Sequence, residues 1–182
     1  FGKHGIMMWE YANGIDNSEV KYIRERPKGI GNSITLPQDI SDINKLEEIL
    51  LNITDQVAYR LRKENLLANV VNVQLRTKNF SDTSHQKKLP HSTSNTKEIY
   101  NCAKELLKEL YKKGTAIRLI GLRVDNLIEK NEMQLSLFDT KEEKKLDKLD
   151  ETIDKLKEKY GYNFIKRGSN LKDNIKWSKF EK

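Results

Sequence analysis

Between residues 29 and 127 the chain switches repeatedly between two hydrophobic periods, and the switches mark its elements. Gly29 to Pro37, GIGNSITLP, reads as a strand with Ile34 and Leu36 inward and Ser33 and Thr35 outward. From Asp39 to Glu64 the period lengthens. Leu46, Ile49, Leu50, Ile53, Val57 and Leu61 form one face of a long helix, with Ser41 or Asp42 as its N-cap. Asn69 to Leu89 returns to a period of two. Val71, Val73 and Leu75 alternate with Asn72, Gln74 and Arg76, and the polar face continues through Lys78 and, past a short turn, through Ser84, Gln86 and Lys88. A polar loop from Pro90 to Asn95 leads to a second helix. Asn95 and Glu98 open it as a capping box, Ile99, Cys102, Ala103, Leu106, Leu107 and Leu110 form its apolar face, and Gly114 is its C′ glycine. The last strand, Ala116 to Leu127, changes phase. A β-bulge near Leu119 would turn Ile117, Ile120, Leu122 and Val124 inward and Arg118, Gly121 and Arg123 outward; the alternative is a strand buried on both faces.

Strand, helix, strand, strand, helix, strand predicts an α+β, ferredoxin-like βαββαβ domain over residues 29–128, a four-stranded antiparallel sheet with both helices on one face. Residues 1–16 predict a short amphipathic helix around Ile6, Trp9 and Ala12, ending at Gly14. It is either a cap on the main domain or the last helix of a preceding one. Residues 17–28 are polar and basic, and Pro27 favours an extended linker. Residues 129–140 lose the globular pattern except for an apolar island, QLSLF, at 134–138. Residues 141–182 predict a charged C-terminal helix and tail. Leu146, Leu149, Ile153, Leu156 and Tyr160 give the helix a narrow stripe that needs a partner surface.

Charge narrows the partners. Of 182 residues 34 are Lys or Arg and 27 Asp or Glu, a net charge of +7, which favours a polyanion. The predicted outer sheet face collects Arg76, Lys78, Lys88, Arg118 and Arg123 with the donors Ser33, Thr35, Asn72, Gln74 and Gln86, and few acids. Cations and small donors suit phosphate oxygens, whereas single-stranded bases are held by stacked aromatics, and the centre of this face has none. The pattern therefore fits a duplex backbone, with Gly121 letting a phosphate approach the strand; the plainer alternative is an ordinary polar face. Neutralising five or six phosphates would give a salt slope of about −5.

Other chemistry is not visible. The single cysteine, Cys102, excludes an internal disulfide or a cysteine zinc site and fits a buried helix position. His4, His85 and His91 lack neighbours at metal-ligand spacing, and no nucleotide-binding glycine loop occurs. No enzyme activity of its own, no cofactor and no membrane partner are expected, and the expected compartment is cytoplasmic.

Several stretches in order resemble the Y-family translesion DNA polymerases of the bacterial polymerase IV type. FGKHG and WEYANGID within 1–16 are similar to the closing helix of that family's thumb. KGIGNSITLP at 28–37, VAYRLRKENL at 57–66, VNVQLRTKNF at 71–80, SHQKKLP at 84–90 and IRLIGLRVDNL at 117–127 resemble its little finger domain. The resemblance implies a C-terminal piece of a longer polymerase whose catalytic palm, with its magnesium-binding carboxylates, lies upstream. It also implies that the sheet grips primer–template duplex DNA through Ser33, Thr35, Arg76, Lys78, Gln86, Lys88 and Arg123. The island Gln134, Leu135, Ser136, Leu137 and Phe138 resembles the sliding-clamp-binding motif of bacterial clamp partners. There Leu137 and Phe138 would enter an apolar pocket and Gln134 would bond at its rim; alternatively these residues pack on their own domain. A free-standing ferredoxin-like RNA-binding module is the competing reading of the sheet.

Overall fold

A computed structural model describes residues 1–20, 22, 26–130, 141–161, 164–165 and 168. The elements in chain order are α1 (Gly2–Ala12), β1 (Gly29–Ile40), α2 (Ile43–Lys63), β2 (Leu66–Thr77), β3 (Asp82–Thr93), α3 (Thr96–Leu110), β4 (Ile117–Asp125), the two-residue β5 (Ile128–Glu129) and α4 (Lys141–Tyr160). The α+β class and the βαββαβ order match the hydrophobic periods. The four main strands are antiparallel in the order β1-β4-β2-β3, so β4 and β2 are central and β1 and β3 are the edges.

The inward sets of both central strands, Val71, Val73 and Leu75 with Ile120, Leu122 and Val124, are buried in one cluster with the apolar stripes of α2 and α3. All six stripe residues anticipated in α2 are buried. Both helices thus lie on one face of the sheet, and no element among the described residues covers the other.

Local chemistry sets the boundaries, and several differ from the sequence reading. α2 starts at Ile43 and not Asp39, because Asp42 is the cap: its carboxylate accepts from the Asn44 N–H at 2.9 Å. Residues 39–40 belong instead to β1. That strand passes Pro37 because its pairing skips between Thr35 and Ile40, so the missing proline N–H falls in an unpaired stretch of an edge strand. α3 is capped by Asn95, which accepts from the N–H groups of Lys97 and Glu98, at 3.0 and 3.3 Å. The reciprocal half of the capping box does not form. The Asn95 N–H donates to Thr93 Oγ1, and Glu98 pairs with His91 at 3.1 Å. Gly114 is not the C′ residue of α3, which ends at Leu110. It takes a positive φ of 83° in the turn closed by the Thr115 N–H on the Lys112 carbonyl.

The phase change in the last strand is a bulge. Arg76 pairs with Leu119 and the next residue, Thr77, with Ile117, so Arg118 is the extra residue. Ile117, Ile120, Leu122 and Val124 are buried as the bulge requires, and Arg123 is exposed, which excludes a strand buried on both faces. Beyond it, Asn126 turns the chain with φ 54° into β5, whose pairing with Leu66 and Leu67 had no sequence signal.

The two flanking helices behave differently. α1 buries no residue, and Trp9 is 63% exposed, so it is not a cap packed on the domain. α4 docks chiefly through polar side chains. Asp150, Asp154 and Lys157 are buried, Leu146, Ile153 and Leu156 of the apolar stripe are half-buried, and Leu149 and Tyr160 are exposed. The receiving surface explains the choice. It presents the Arg62 guanidinium at the end of α2 and the first-turn N–H groups of α3, which carboxylates satisfy and leucines cannot. Asp154 takes Arg62 through two bonds of 2.5 and 3.0 Å, and Asp150 accepts from Arg62 at 3.2 Å and from the Thr96 N–H at 3.0 Å. Asn95 donates to Asp147 at 3.1 Å, Lys130 pairs with Glu151 at 3.1 Å, and Lys157 pairs with Asp55. Burial works against the Arg62 charge, but the bond and charge of Asp154, with Asp150 and Asp55, outweigh it and raise its pKa.

Candidate nucleic-acid interface

The strand registers assemble the open face into four transverse rows, read from β1 through β4 and β2 to β3. They are Gly29–Asp125–Val70–Lys88, Gly31–Arg123–Asn72–Gln86, Ser33–Gly121–Gln74–Ser84 and Thr35–Leu119–Arg76–Asp82. None of the sixteen positions is aromatic. Six of the seven predicted contact residues, Ser33, Thr35, Arg76, Gln86, Lys88 and Arg123, lie in these rows. The seventh, Lys78, is exposed just past the end of β2, with its N–H on the Ala116 carbonyl at 2.9 Å. Residues far apart in sequence are thereby brought side by side, as Leu119 is with Thr35 on one flank and Arg76 on the other.

The face carries more acid than the sequence reading expected. Arg76 makes a two-pronged pair with Asp82, Nε to Oδ1 at 2.7 Å and Nη2 to Oδ2 at 2.9 Å. Its hydrogen bonds hold the Asp82 carboxyl below its ordinary range. Arg123 Nε donates to Asp125 at 2.7 Å, and Arg118 stands 4.0 Å from Asp39. Of the five cations anticipated for the face, the three arginines each stand beside an aspartate. Among the described residues only Lys78 and Lys88, of those five, have no acidic partner. The Arg123–Asp125 pair was legible, since residues two apart on a strand share a face. The Arg76–Asp82 pair needed the hairpin register.

Two glycines are steric requirements of this face. Gly121 is buried, and a Cβ there would lie 3.0 Å from Ser33 Cβ, so it makes room for Ser33 and is not a cleft for phosphate. Gly31 lies under Arg123, where a Cβ would come within 3.0 Å of Arg123 Cβ. Leu119, in the row between Thr35 and Arg76, takes the place foreseen for Arg118. The bulge instead sends the Arg118 guanidinium over the Phe80 ring, 5.0 Å from its centroid, at the β2–β3 turn. Phe80 is exposed and holds a positive φ of 60°.

The edge strand β3 turns its other side to α3 with charge. Lys87 pairs with Glu105 at 2.7 Å and His85 contacts Glu109 at 3.0 Å, and the exposed lysine on this edge strand discourages edge-to-edge pairing. Cys102 is buried and its thiol pKa is pushed up by burial, consistent with packing. Among the described residues no group of three or more His, Cys, Asp or Glu could hold a metal, and no helix is long and apolar enough to cross a membrane. The QLSLF island at 134–138 lies outside the described residues.

A donor-rich sheet face opposite two helices defines the class as an α+β βαββαβ domain with one polar sheet face. Solved structures share this fold. A chimeric Y-family DNA polymerase of Dbh and Dpo4 superposes with a TM-score of 0.52 at 22% identity over 70% of this chain and 36% of its own. The insertion ternary complex of Dbh DNA polymerase gives 0.50 at 23% over the same shares. A family model described as the impB/mucB/samB family C-terminal domain matches residues 27–137, and the chain belongs to that family. Among curated relatives, DNA polymerase IV of Clostridium acetobutylicum is 38% identical over 92% of this chain, and that of Acetivibrio thermocellus 35% identical over 94%. The chain spans 42% and 44% of those two proteins, less than half of each.

Proposed function

We propose that this chain is the part of a translesion DNA polymerase that holds primer–template duplex and recruits the sliding clamp, with nucleotide addition carried out by a palm domain elsewhere in the longer protein. The observation that supports duplex holding most is the set of four rows. They offer hydroxyls, amides and cations to a polyanion at three of the four central positions around Gly121, with no aromatic platform for unstacked bases. An RNA-binding module of the same class would be expected to present aromatics on β2 and β4, where Asn72, Gln74 and Gly121 stand. Ser33, Thr35, Gln86, Lys78 and Lys88 are available as they lie; Arg76 and Arg123 would contact phosphate by sharing or exchanging their aspartates. Magnesium belongs, in this reading, to palm carboxylates, and this chain supplies none of its ligands.

Clamp recruitment rests on Gln134, Leu135, Ser136, Leu137 and Phe138, three large apolar residues behind a glutamine in a polar stretch between β5 and α4. The test of duplex holding is Arg76→Glu with Lys88→Glu. The pair should weaken primer–template binding at least about tenfold at moderate salt, two charge reversals on one face, and unchanged affinity would remove the DNA face. Leu137→Ala with Phe138→Ala should abolish clamp binding and leave duplex binding intact; retained clamp affinity would move the recruiting site elsewhere.

A further inference from the structure

We infer that Asp82 and Asp125 are attenuators of the duplex face: they occupy the arginines that would otherwise grip phosphate, and so set how tightly and how salt-sensitively the domain holds DNA. The inference rests on the duplex reading above.

Both pairs are built into the face and are not chance encounters of long side chains. Asp82 takes the Nε–Nη2 edge of Arg76 in a two-pronged fork, the same edge a phosphate would use. The hairpin register fixes the two residues directly opposite each other. Arg123 is folded down along the sheet towards Asp125 over Gly31 and Gly29. A Cβ at Gly29 would meet both the guanidinium and the carboxylate, so a side chain there would require the ends of both to shift.

Stability does not explain them. The side chains are 36% and 45% exposed in one pair and 54% and 30% in the other, and exposed ion pairs contribute little to folding. Their electrostatic effect on a phosphate is unavoidable. A guanidinium that moves to phosphate leaves a carboxylate bare, and one that stays brings a carboxylate against the DNA. In either case the counterion released by the phosphate is offset at the aspartate. The count of released ions therefore falls towards the two unpaired lysines, Lys78 and Lys88, and the expected salt slope of the chain is about −2, against about −5 for a face with free arginines. A domain that must let duplex slide through after each step gains from a loose, short-lived grip.

The experiment measures binding of a short primer–template duplex to the 182-residue chain across a salt series, for the wild type, Asp82→Asn, Asp125→Asn and the double variant. Asparagine keeps the shape and removes the charge. Each single change should tighten binding roughly fivefold to tenfold at about 0.1 M salt, and the double variant should steepen the slope from about −2 to about −4. Glu105→Gln is the control. It removes the same charge from the Lys87 pair on the helix side of β3 and should change neither quantity. If the asparagine variants bind no tighter than wild type while Arg76→Glu with Lys88→Glu weakens binding, the duplex reading stands and attenuation is wrong. If Glu105→Gln tightens binding as much, the effect is net charge alone and attenuation is again wrong. Duplex binding by none of the proteins would overturn both readings.

Discussion

Arg62 and Arg76 both make two-pronged contacts with an aspartate, yet they sit in opposite surroundings. Arg62 and Asp154 are each 12% exposed, pressed between α2, α3 and α4, and Asp150, the Thr96 N–H and Asp55 with Lys157 complete the cluster. Arg76 and Asp82 lie on the polar sheet face, 36% and 45% exposed. A buried charge that loses its partner cannot turn to solvent, so the Arg62 pair behaves as a fastening. An exposed pair can be exchanged for another partner at little cost, so the Arg76 pair behaves as a setting. The same two residue types thus hold a helix in place on one side of the domain and, in the reading proposed above, adjust a duplex face on the other, and their burial is what separates the two.

The comparison can be broken at the Arg62 end first. Arg62→Met leaves Asp150 and Asp154 buried without a cation and should cost about 3 kcal/mol or more in the docking of α4. Hydrogen exchange of amides at 146–160 should then speed up more than about a hundredfold, with β2 and β4 protected as before. Unchanged exchange in α4 would show that the cluster is not what holds it. Asp154→Asn keeps the shape and half of the contact, and its effect on the same amides should be smaller. Arg76→Gln should leave the denaturant midpoint where it is and change duplex binding only. A clear loss of stability there would place Arg76 among the fastenings and remove the distinction.

What the sequence allowed follows the range of each interaction. The periods of two and 3.6 gave the elements of the domain, and the bulge came from one phase conflict between Ile117 and Ile120, because these are local regularities. The row neighbours of each contact residue needed registers between strands far apart in sequence, and with them came Asp82 and Leu119. The βαββαβ order likewise does not say which strands are central, here β4 and β2. The apolar spacing of α4 called for a partner surface without saying which, and the surface that receives it is built around an arginine and a helix N-terminus. Only the tertiary structure assembles that surface, from Arg62 and Thr96, 34 residues apart. Gly121 looked like an opening between two arginines and proved to be space already filled by Ser33.

The central claim is that duplex lies on the open sheet face and nowhere else on the domain. Amide chemical shifts of the isotope-labelled chain, followed as primer–template duplex is added, test it directly. The rows Gly31–Arg123–Asn72–Gln86, Ser33–Gly121–Gln74–Ser84 and Thr35–Leu119–Arg76–Asp82 should shift together, while the amides of α2, α3 and α4 stay still. Shifts concentrated on the helix side, or on the α4 cluster around Arg62, would contradict the account.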